Sequence, residues 1–518
     1  MMDYVIGLDI GTQSTKALLC DGDGRIVSQH SSAYHPDTPK PLWAEQGAHV
    51  WLEAVKECLR EAAAKAACAV PGFDPEMVRA VCISSLYGGA GIPVDDGMSP
   101  LYPCLIWMDR RAEAEVDWVR ANVDLDRLRS VTGNHVDSYY GFTKILWIRN
   151  NRPDVWERTR HFLPPNAWVI HQLTGELAVD HSSAGNIGGV YDLAARSWSA
   201  EMMNVLGIPT RMMPERLVAS SDIVGGLLPE IAAELGLAPG TPVVAGGVDA
   251  AVATFAAGAT RRGQHVAMIG TSMCWGYITP KVDVSGGLVS MPHVFGGEHD
   301  AYVFGGAITA GASITWFREQ FGAADAAEAA KSGRDVHAVL EEAAKNIAAG
   351  ADGLVFLPYL MGERSPVWDG KASGAFVGLS LYHTRAHCYR AVLEGVALAL
   401  RHNIEAGSTD MLDRELIVVG GAAHSPLWVQ IIADVTGRPV YTIAEDVEAA
   451  MGAALLAALG SGVIDNEAAG RGWVSLRLQA EPRVEAVTAY DKLFAIYADL
   501  YPALKQSMHA LRAAEGSK

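Results

Sequence analysis

The sequence predicts an α/β protein built from two related domains that share a cleft, and three observations carry that prediction. Tyr4 to Ile10 and Ala17 to Cys20 are apolar runs of strand length, joined by the hydroxyl-rich loop Gly11-Thr12-Gln13-Ser14-Thr15-Lys16. A second hairpin, Gln264 to Tyr277, turns at Gly270-Thr271-Ser272, and its Gly-Thr pair lies 259 residues beyond the first, half of the 518-residue chain. A chain of this length exceeds a single core and should divide into two domains of roughly 250 residues. The division falls at 1–249 and 250–518.

In the first loop Gly11 lets the backbone approach closely, while Thr12, Ser14 and Thr15 bring donors beside the Lys16 ammonium, a set suited to an anion. Asp9 stands out. A carboxylate ending an apolar strand is costly to bury without donors or a cation, so a metal or a lysine partner is implied; a turn-capping aspartate is the plainer alternative. After Asp21-Gly22-Asp23-Gly24 a third strand, Arg25 to Gln29, completes a meander, and an Ala-rich amphipathic helix runs from about His49 to Ala67. Val78 to Ser84 reads as a buried strand leading into Leu86-Tyr87-Gly88-Gly89, and open α/β sheets take ligands at such carboxyl ends. Leu101 to Trp107 reads as another strand, closing on Trp107-Met108-Asp109-Arg110-Arg111. A ring beside a carboxylate and two guanidiniums suits a sugar, and equally suits a core tryptophan before a solvated helix start.

Tyr139 to Asn151 opens a helix that turns Ile145, Trp147 and Ile148 inward and leaves the role of Lys144 ambiguous. Thr241 to Val248 reads as a strand delivering Gly246-Gly247-Val248-Asp249 to the cleft. Because the apolar helix Ala250 to Ala257 follows directly, Asp249 is either a cleft carboxylate or an N-cap. In the second half Gly311 lies at the start of a helix carrying Trp316 and Phe317, and a charged, Ala-rich stretch to Ala349 reads as a surface insertion. Strand Gly374 to Ser380 precedes an amphipathic helix from Arg385 to Ala406. Leu416 to Val419 followed by Gly420-Gly421-Ala422-Ala423-His424-Ser425-Pro426 is a strand, a glycine turn and a helix start. Such a turn can admit a base or ribose edge against bare backbone, although many βα turns share the pattern. The last helix, Ala486 to about Ala513, spaces its apolar residues for core packing.

The net charge of -18 argues against nucleic acid and anionic membrane surfaces as partners, since either would want a basic stripe. Seven scattered cysteines with no Cys-x-x-Cys pair fit a reducing cytoplasm. No signal segment opens the chain, and its longest apolar helix, Ala449 to Leu459, is too short to span a bilayer. Gly-x-x-x-x-Gly-Lys-Ser/Thr, Gly-x-Ser-x-Gly and His-Glu-x-x-His motifs are absent, which removes P-loop, common hydrolase and zincin readings. Two phosphate hairpins, a carboxylate at Asp9, another at Asp249 and a Trp/Asp/Arg patch make up what phosphoryl transfer to a hydroxyl requires.

These motifs resemble, over essentially the whole chain, the FGGY carbohydrate kinases, relatives of hexokinase, actin and the heat-shock ATPases. The resemblance rests on Asp9-Ile10-Gly11-Thr12-Gln13-Ser14-Thr15-Lys16, Gly246-Gly247-Val248-Asp249, Gly270-Thr271-Ser272, Gly362-Glu363-Arg364-Ser365-Pro366, Gly374-Ala375-Phe376-Val377-Gly378-Leu379 and the Gly420-Gly421 turn. It implies two actin/hexokinase-like, ribonuclease H-like domains around a central cleft, and ATP-dependent phosphorylation of a ketopentose or related polyol. Asp249 would be the general base and Asp9 the Mg²⁺ residue. Thr12, Gln13, Ser14, Lys16, Gly270, Thr271 and Gly311 would meet the phosphates, with Gly420, Gly421, Ala422 and Ser425 at the adenosine. Trp107, Asp109 and Tyr139 would face the sugar. Gly141 and Cys388 depart from the family signatures. The xylulokinase-like group is nearest, but it carries Gln-Met-His-Gly where this chain has Leu86-Tyr87-Gly88-Gly89, so Tyr87 and Gly88 would alter the sugar contacts. The implied partners are a small sugar and ATP, with a homodimer left open. A nucleotide-driven conformational ATPase and an inactive sugar sensor are the competing readings. The Trp107-Asp109 patch argues against the first, and the intact Asp9 and Asp249 against the second.

Overall fold

Strands Tyr4–Ile10 and Ser14–Asp21 pair antiparallel with Asp9 opposite Lys16, so the opening hairpin forms as expected. The computed structural model describes residues 3–86, 89–282, 284–443 and 448–515. Strand Ile26–Ala33 pairs antiparallel with the second strand; Val78–Ser85 runs parallel to the first, setting Ser84 beside Asp9, and Pro242–Val244 runs parallel to Val78–Ser85. The order is therefore third, second, first, fourth, fifth, with Ile223–Gly226 added at one edge. The second half repeats this order and these directions with His265–Ile269, Met273–Thr279, Ala301–Gly305, Leu416–Val419 and Val440–Ile443, and adds Val289–Pro292 and Leu476–Ala480 at its edges. The half-length repeat seen in the sequence is thus a repeat of sheet topology, and each half is ribonuclease H-like. The first strand is apolar nearly throughout because helices cover both faces of its sheet.

The helix that follows the fifth strand in each half, Asp249–Ala256 and Ala449–Gly460, packs on its counterpart, and the latter also lies against Tyr4–Ile10. Both are rich in alanine, and Ala449–Gly460 is buried all round for most of its length, as an apolar helix between a sheet and another helix must be. Among the described residues no helix is long and apolar enough to cross a membrane.

Several elements differ from their sequence expectation. Leu101 to Trp107 contains only the two-residue strand Cys104–Leu105, because Pro103 offers no ladder N–H. The strand expected over 241–248 ends at Val244. Gly246 then takes a left-handed φ of 70°, and a Cβ there would collide with the Ile83 carbonyl, so the chain leaves the sheet at this glycine and turns into the helix that begins at Asp249. Strand Gly374 to Ser380 shortens to Ala375–Val377, and the Ala-rich insertion folds as helices Ala323–Ser332 and Val336–Ala344. All seven cysteines are free thiols.

Candidate active site

Asp9 sits at the carboxyl end of the first strand, half-buried, and accepts a hydrogen bond from Ser84 Oγ at 2.8 Å. Burial pushes its carboxyl up to about 6; the Ser84 bond and Lys16 oppose the rise and Glu448 adds to it. Lys16 makes a 2.6 Å ion pair with Glu448, which caps the helix Ala449–Gly460 from the second half. The phosphate loop is braced from behind: Gly11 N–H donates to Ser14 O at 2.9 Å, Tyr34 N–H to Gln13 O at 2.9 Å, and Tyr34 Oη to Gly11 O at 2.8 Å. The side chains of Thr12, Gln13, Ser14 and Lys16 stay partly or fully exposed on the other side.

Asp249 is the first residue of its helix, and Val248 holds the cap position, so the N-cap alternative does not apply. Its Oδ1 accepts the Ala250 N–H at 2.6 Å. Burial first, then the charge of Asp9, holds Asp249 well above the usual carboxylate range, against the Ala250 bond and Arg364. Asp9 and Asp249 line one open cavity of about 330 Å³ together with Gly270, Thr271, Ser272 and Cys274. Next to it lies a cavity of about 830 Å³ that shares Gly270 and Thr271 and is lined further by Gly311, Gly421, Ala422 and Ser425. Trp316, Tyr389, Leu393 and Trp428 give this larger space apolar walls, as a flat heterocycle requires. Gly420 lies behind it against the Ile269 carbonyl, and Ser425 Oγ accepts the Trp428 N–H at 3.0 Å. Among the nucleotide residues expected from sequence, those of the second half therefore converge on one space.

The sugar side agrees less well. Trp107 does reach the cleft: its Nε1 donates to Thr12 Oγ1 at 3.0 Å, and its ring lies 5.6 Å from the Arg364 guanidinium. Asp109, expected to face the sugar, is 0% exposed, and its oxygens accept from Ala44 N–H, Arg111 N–H and Arg111 Nε, so in this structure it braces the wall beside Trp107. Tyr139 is 1% exposed, with its ring 6.1 Å from Trp368 of the second half. Lys144 donates to the Tyr139 carbonyl at 2.6 Å, and burial pulls its ammonium down to about 7. Tyr87 and Gly88 lie outside the described residues.

Residues 4–256 match the N-terminal domain, and residues 265–461 the C-terminal domain, of the FGGY family of carbohydrate kinases. The chain belongs to that family. Among relatives of this FGGY kinase, a xylulose kinase of Lactococcus lactis is 30% identical over 516 residues, 98% of this chain and 99% of the other. A gluconokinase of Bacillus subtilis is 28% identical over 507 residues, 96% of each chain. The crystal structure of a xylulose kinase from Rhodospirillum rubrum superposes with a TM-score of 0.87 at 31% identity, covering 98% of this chain and all (100%) of that one. The actin/hexokinase-like fold expected from sequence is thereby shown, and ATP use follows from the family.

Three contributors escaped the sequence reading as site residues. Ser84 was signalled only as a hydroxyl ending an apolar strand. Arg364 arches over Trp107 and donates to Met273 O at 3.2 Å, and the neighbouring Glu363 carboxyl, buried and pushed up to about 7, accepts from Ile308 N–H and the Arg364 backbone N–H. Glu448 carries no local pattern at all. The shared edge of the two cavities is also tight: Gly311 N–H donates to Gly270 O at 2.9 Å, and a Cβ on Gly311 would stand 2.6 Å from that oxygen. Gly311→Ala is therefore expected to push the helix away from the hairpin. Overpacking of this kind costs about 1–3 kcal/mol, and a lowered Tm with a raised KM for ATP should report it.

Proposed function

We propose that this FGGY kinase transfers the γ-phosphoryl group of Mg-ATP to a hydroxyl of a ketopentose or related polyol, with Asp249 as general base and Asp9 as the metal residue. The observation that carries the reading is the pair of cavities joined at Gly270 and Thr271: one suits a nucleoside, the other holds two carboxylates where its phosphates would end. Asp249 would take the proton of the attacking hydroxyl, and its raised pKa suits a base that must hold that proton during transfer. Asp9 fits a hard cation because it is a strand-end carboxylate kept partly accessible, with only Ser84 Oγ bonded to it among the described residues. A hard cation such as Mg²⁺ keeps most of its waters, so the Asp9 carboxylate alone would be enough protein ligation. Its chemistry when bound is charge neutralisation on the β- and γ-oxygens. Lys16 and the Thr12 and Ser14 hydroxyls then orient the phosphates, with Lys16 exchanging its Glu448 partner for them. Arg364, over the Trp107 ring, would restrain that ring against the acceptor.

The sugar follows from the loop at Leu86 to Gly89. A phenol and bare backbone replace the Met-His pair of xylulokinase-like loops, changing both hydrogen bonding and volume. A site built to bond a hydroxyl rejects an analogue lacking it strongly, whereas spare volume discriminates by only about 10- to 200-fold. D-xylulose is therefore expected to be a modest substrate, with another ketose or polyol preferred. ADP release across a panel that includes D-xylulose and gluconate, for the parent protein and Tyr87→Phe, tests this. D-xylulose as the best substrate, or an unchanged kcat/KM for the best substrate in Tyr87→Phe, would contradict it.

Shielding the phosphoryl group from water favours transfer to sugar over hydrolysis, so the two halves should close about a hinge near 247–260. Small-angle scattering with sugar and a nucleotide analogue is expected to give a smaller radius of gyration than the free protein.

A further inference from the structure

A third cavity, of about 550 Å³, shares no lining residue with the two above. His181, Arg196, Ser220 and Ser221 reach it from the first half, and His293, Glu298 and Asn466 from the second. His293 is its most unusual wall. The residue is only 7% exposed, and among the described residues its ring nitrogens have at most a weak contact with the Ala259 backbone. An imidazole this buried with so little protein hydrogen bonding is uncommon in native interiors. Burial holds His293 down at about 4, so at neutral pH the ring is a neutral donor and acceptor.

The positive charge comes from Arg196. This residue takes a left-handed φ of 54°, donates from Nη2 to the Asp300 carbonyl at 2.9 Å, lies within reach of the Tyr191 hydroxyl, and makes no ion pair among the described residues, although Asp300 and Glu298 act on its charge from nearby. The nearby Asp300 carboxylate is already engaged, by Arg262 Nε at 2.7 Å and Gly297 N–H at 2.9 Å. Tyr191 Oη occupies Nδ1 of His181 at 2.9 Å and leaves Nε2 for another partner. Among the described residues lining the cavity the acidic one is Glu298, exposed to solvent at the rim; behind the walls Asp300 acts on His293 and Arg196, and Asp180 and Asp222 act on His181.

We propose that this cavity binds a small metabolite through an oxyanion, a phosphate monoester or a carboxylate, which ion-pairs with Arg196 and completes the hydrogen bonding of His293. A guanidinium fork matches either anion with two parallel bonds, and the Ser220 and Ser221 hydroxyls serve the remaining oxygens. The location gives the site consequence. Gly246 N–H donates to Ser220 O at 3.0 Å, and Gly247 packs against Ser220 and Val294, so the cavity's walls touch the segment that delivers Asp249. This inference does not depend on which sugar the kinase uses.

The experiment is isothermal titration calorimetry on the full chain, saturated with Mg²⁺ and a non-hydrolysable ATP analogue so that the phosphate loops are filled. Inorganic phosphate and citrate are titrated separately; saturation by the first alone marks a phosphate site, by the second alone a carboxylate site. At least one should bind with one-to-one stoichiometry. Arg196→Gln and Ser221→Asp should each weaken that binding by about tenfold or more, equivalent to about 1.4 kcal/mol, with nucleotide affinity and Tm unchanged. Ser221 is only half-buried, so its variant keeps the test intact even if Arg196→Gln misfolds. No saturable heat with either anion, or binding equal to the parent's in the folded variants, would overturn the proposal.

Discussion

Asp249→Asn is expected to bind nucleotide and sugar as the parent does and to turn over about 100- to 10,000-fold more slowly, the usual consequence of removing a positioned base. The amide keeps the shape of the carboxylate and can still accept the Ala250 N–H, so the helix start should survive. Two further readouts follow from the electrostatics. In the parent protein kcat/KM should fall on the acid side with a midpoint above the ordinary carboxylate value of about 4, since burial and Asp9 both oppose ionisation of Asp249. The variant should also be as stable as the parent or more so. A carboxyl whose folded pKa is raised loses stability as pH climbs through that pKa, so the gain should be present above it and fade as the pH falls toward about 4. Steady-state kinetics and thermal melts over pH check all three. A variant retaining more than about a tenth of the parent's kcat would remove Asp249 from the role of base.

Asp9→Ala has the second largest expected effect. If Asp9 holds the cation as proposed, its removal should weaken apparent Mg²⁺ affinity by about 10- to 100-fold, as loss of a metal-supporting group does, and depress kcat at ordinary Mg²⁺ concentrations. It also removes the charge that raises Asp249, so the acid limb of any residual activity should move to lower pH. Titrating Mg²⁺ at fixed ATP measures the first effect. An unchanged Mg²⁺ dependence would place the cation elsewhere.

Much of this was legible before the fold was known, and the reason is chemical. Glycine followed by hydroxyl residues between two apolar strands is a local arrangement, and so is a glycine pair after a strand; each brings its own backbone geometry wherever it occurs. The half-length spacing then fixed how such pieces combine. What stayed hidden depends on partners far along the chain. Asp109 reads as an accessible carboxylate beside Trp107, and only the fold shows Arg111 and the Ala44 N–H consuming its oxygens. Lys16 reads as a free phosphate ligand, whereas Glu448 holds it from the opposite half. Arg364 sits in a recognisable motif, but its task is set by Trp107 across the cleft. Pro103 lies inside the apolar run Leu101 to Trp107, and without a ladder N–H there the strand is cut to Cys104–Leu105.

The account rests on Asp9 and Asp249 serving one transfer from nucleotide to sugar across the shared cavity, and phosphorus NMR of the reaction tests that most directly. With Mg-ATP and the best sugar of the panel, the parent protein should produce a phosphate monoester resonance in step with ADP, while Asp249→Asn, loaded with the same nucleotide, should produce neither at a comparable rate. ADP accumulating without a monoester, or a monoester forming at the parent's rate in the variant, would contradict it.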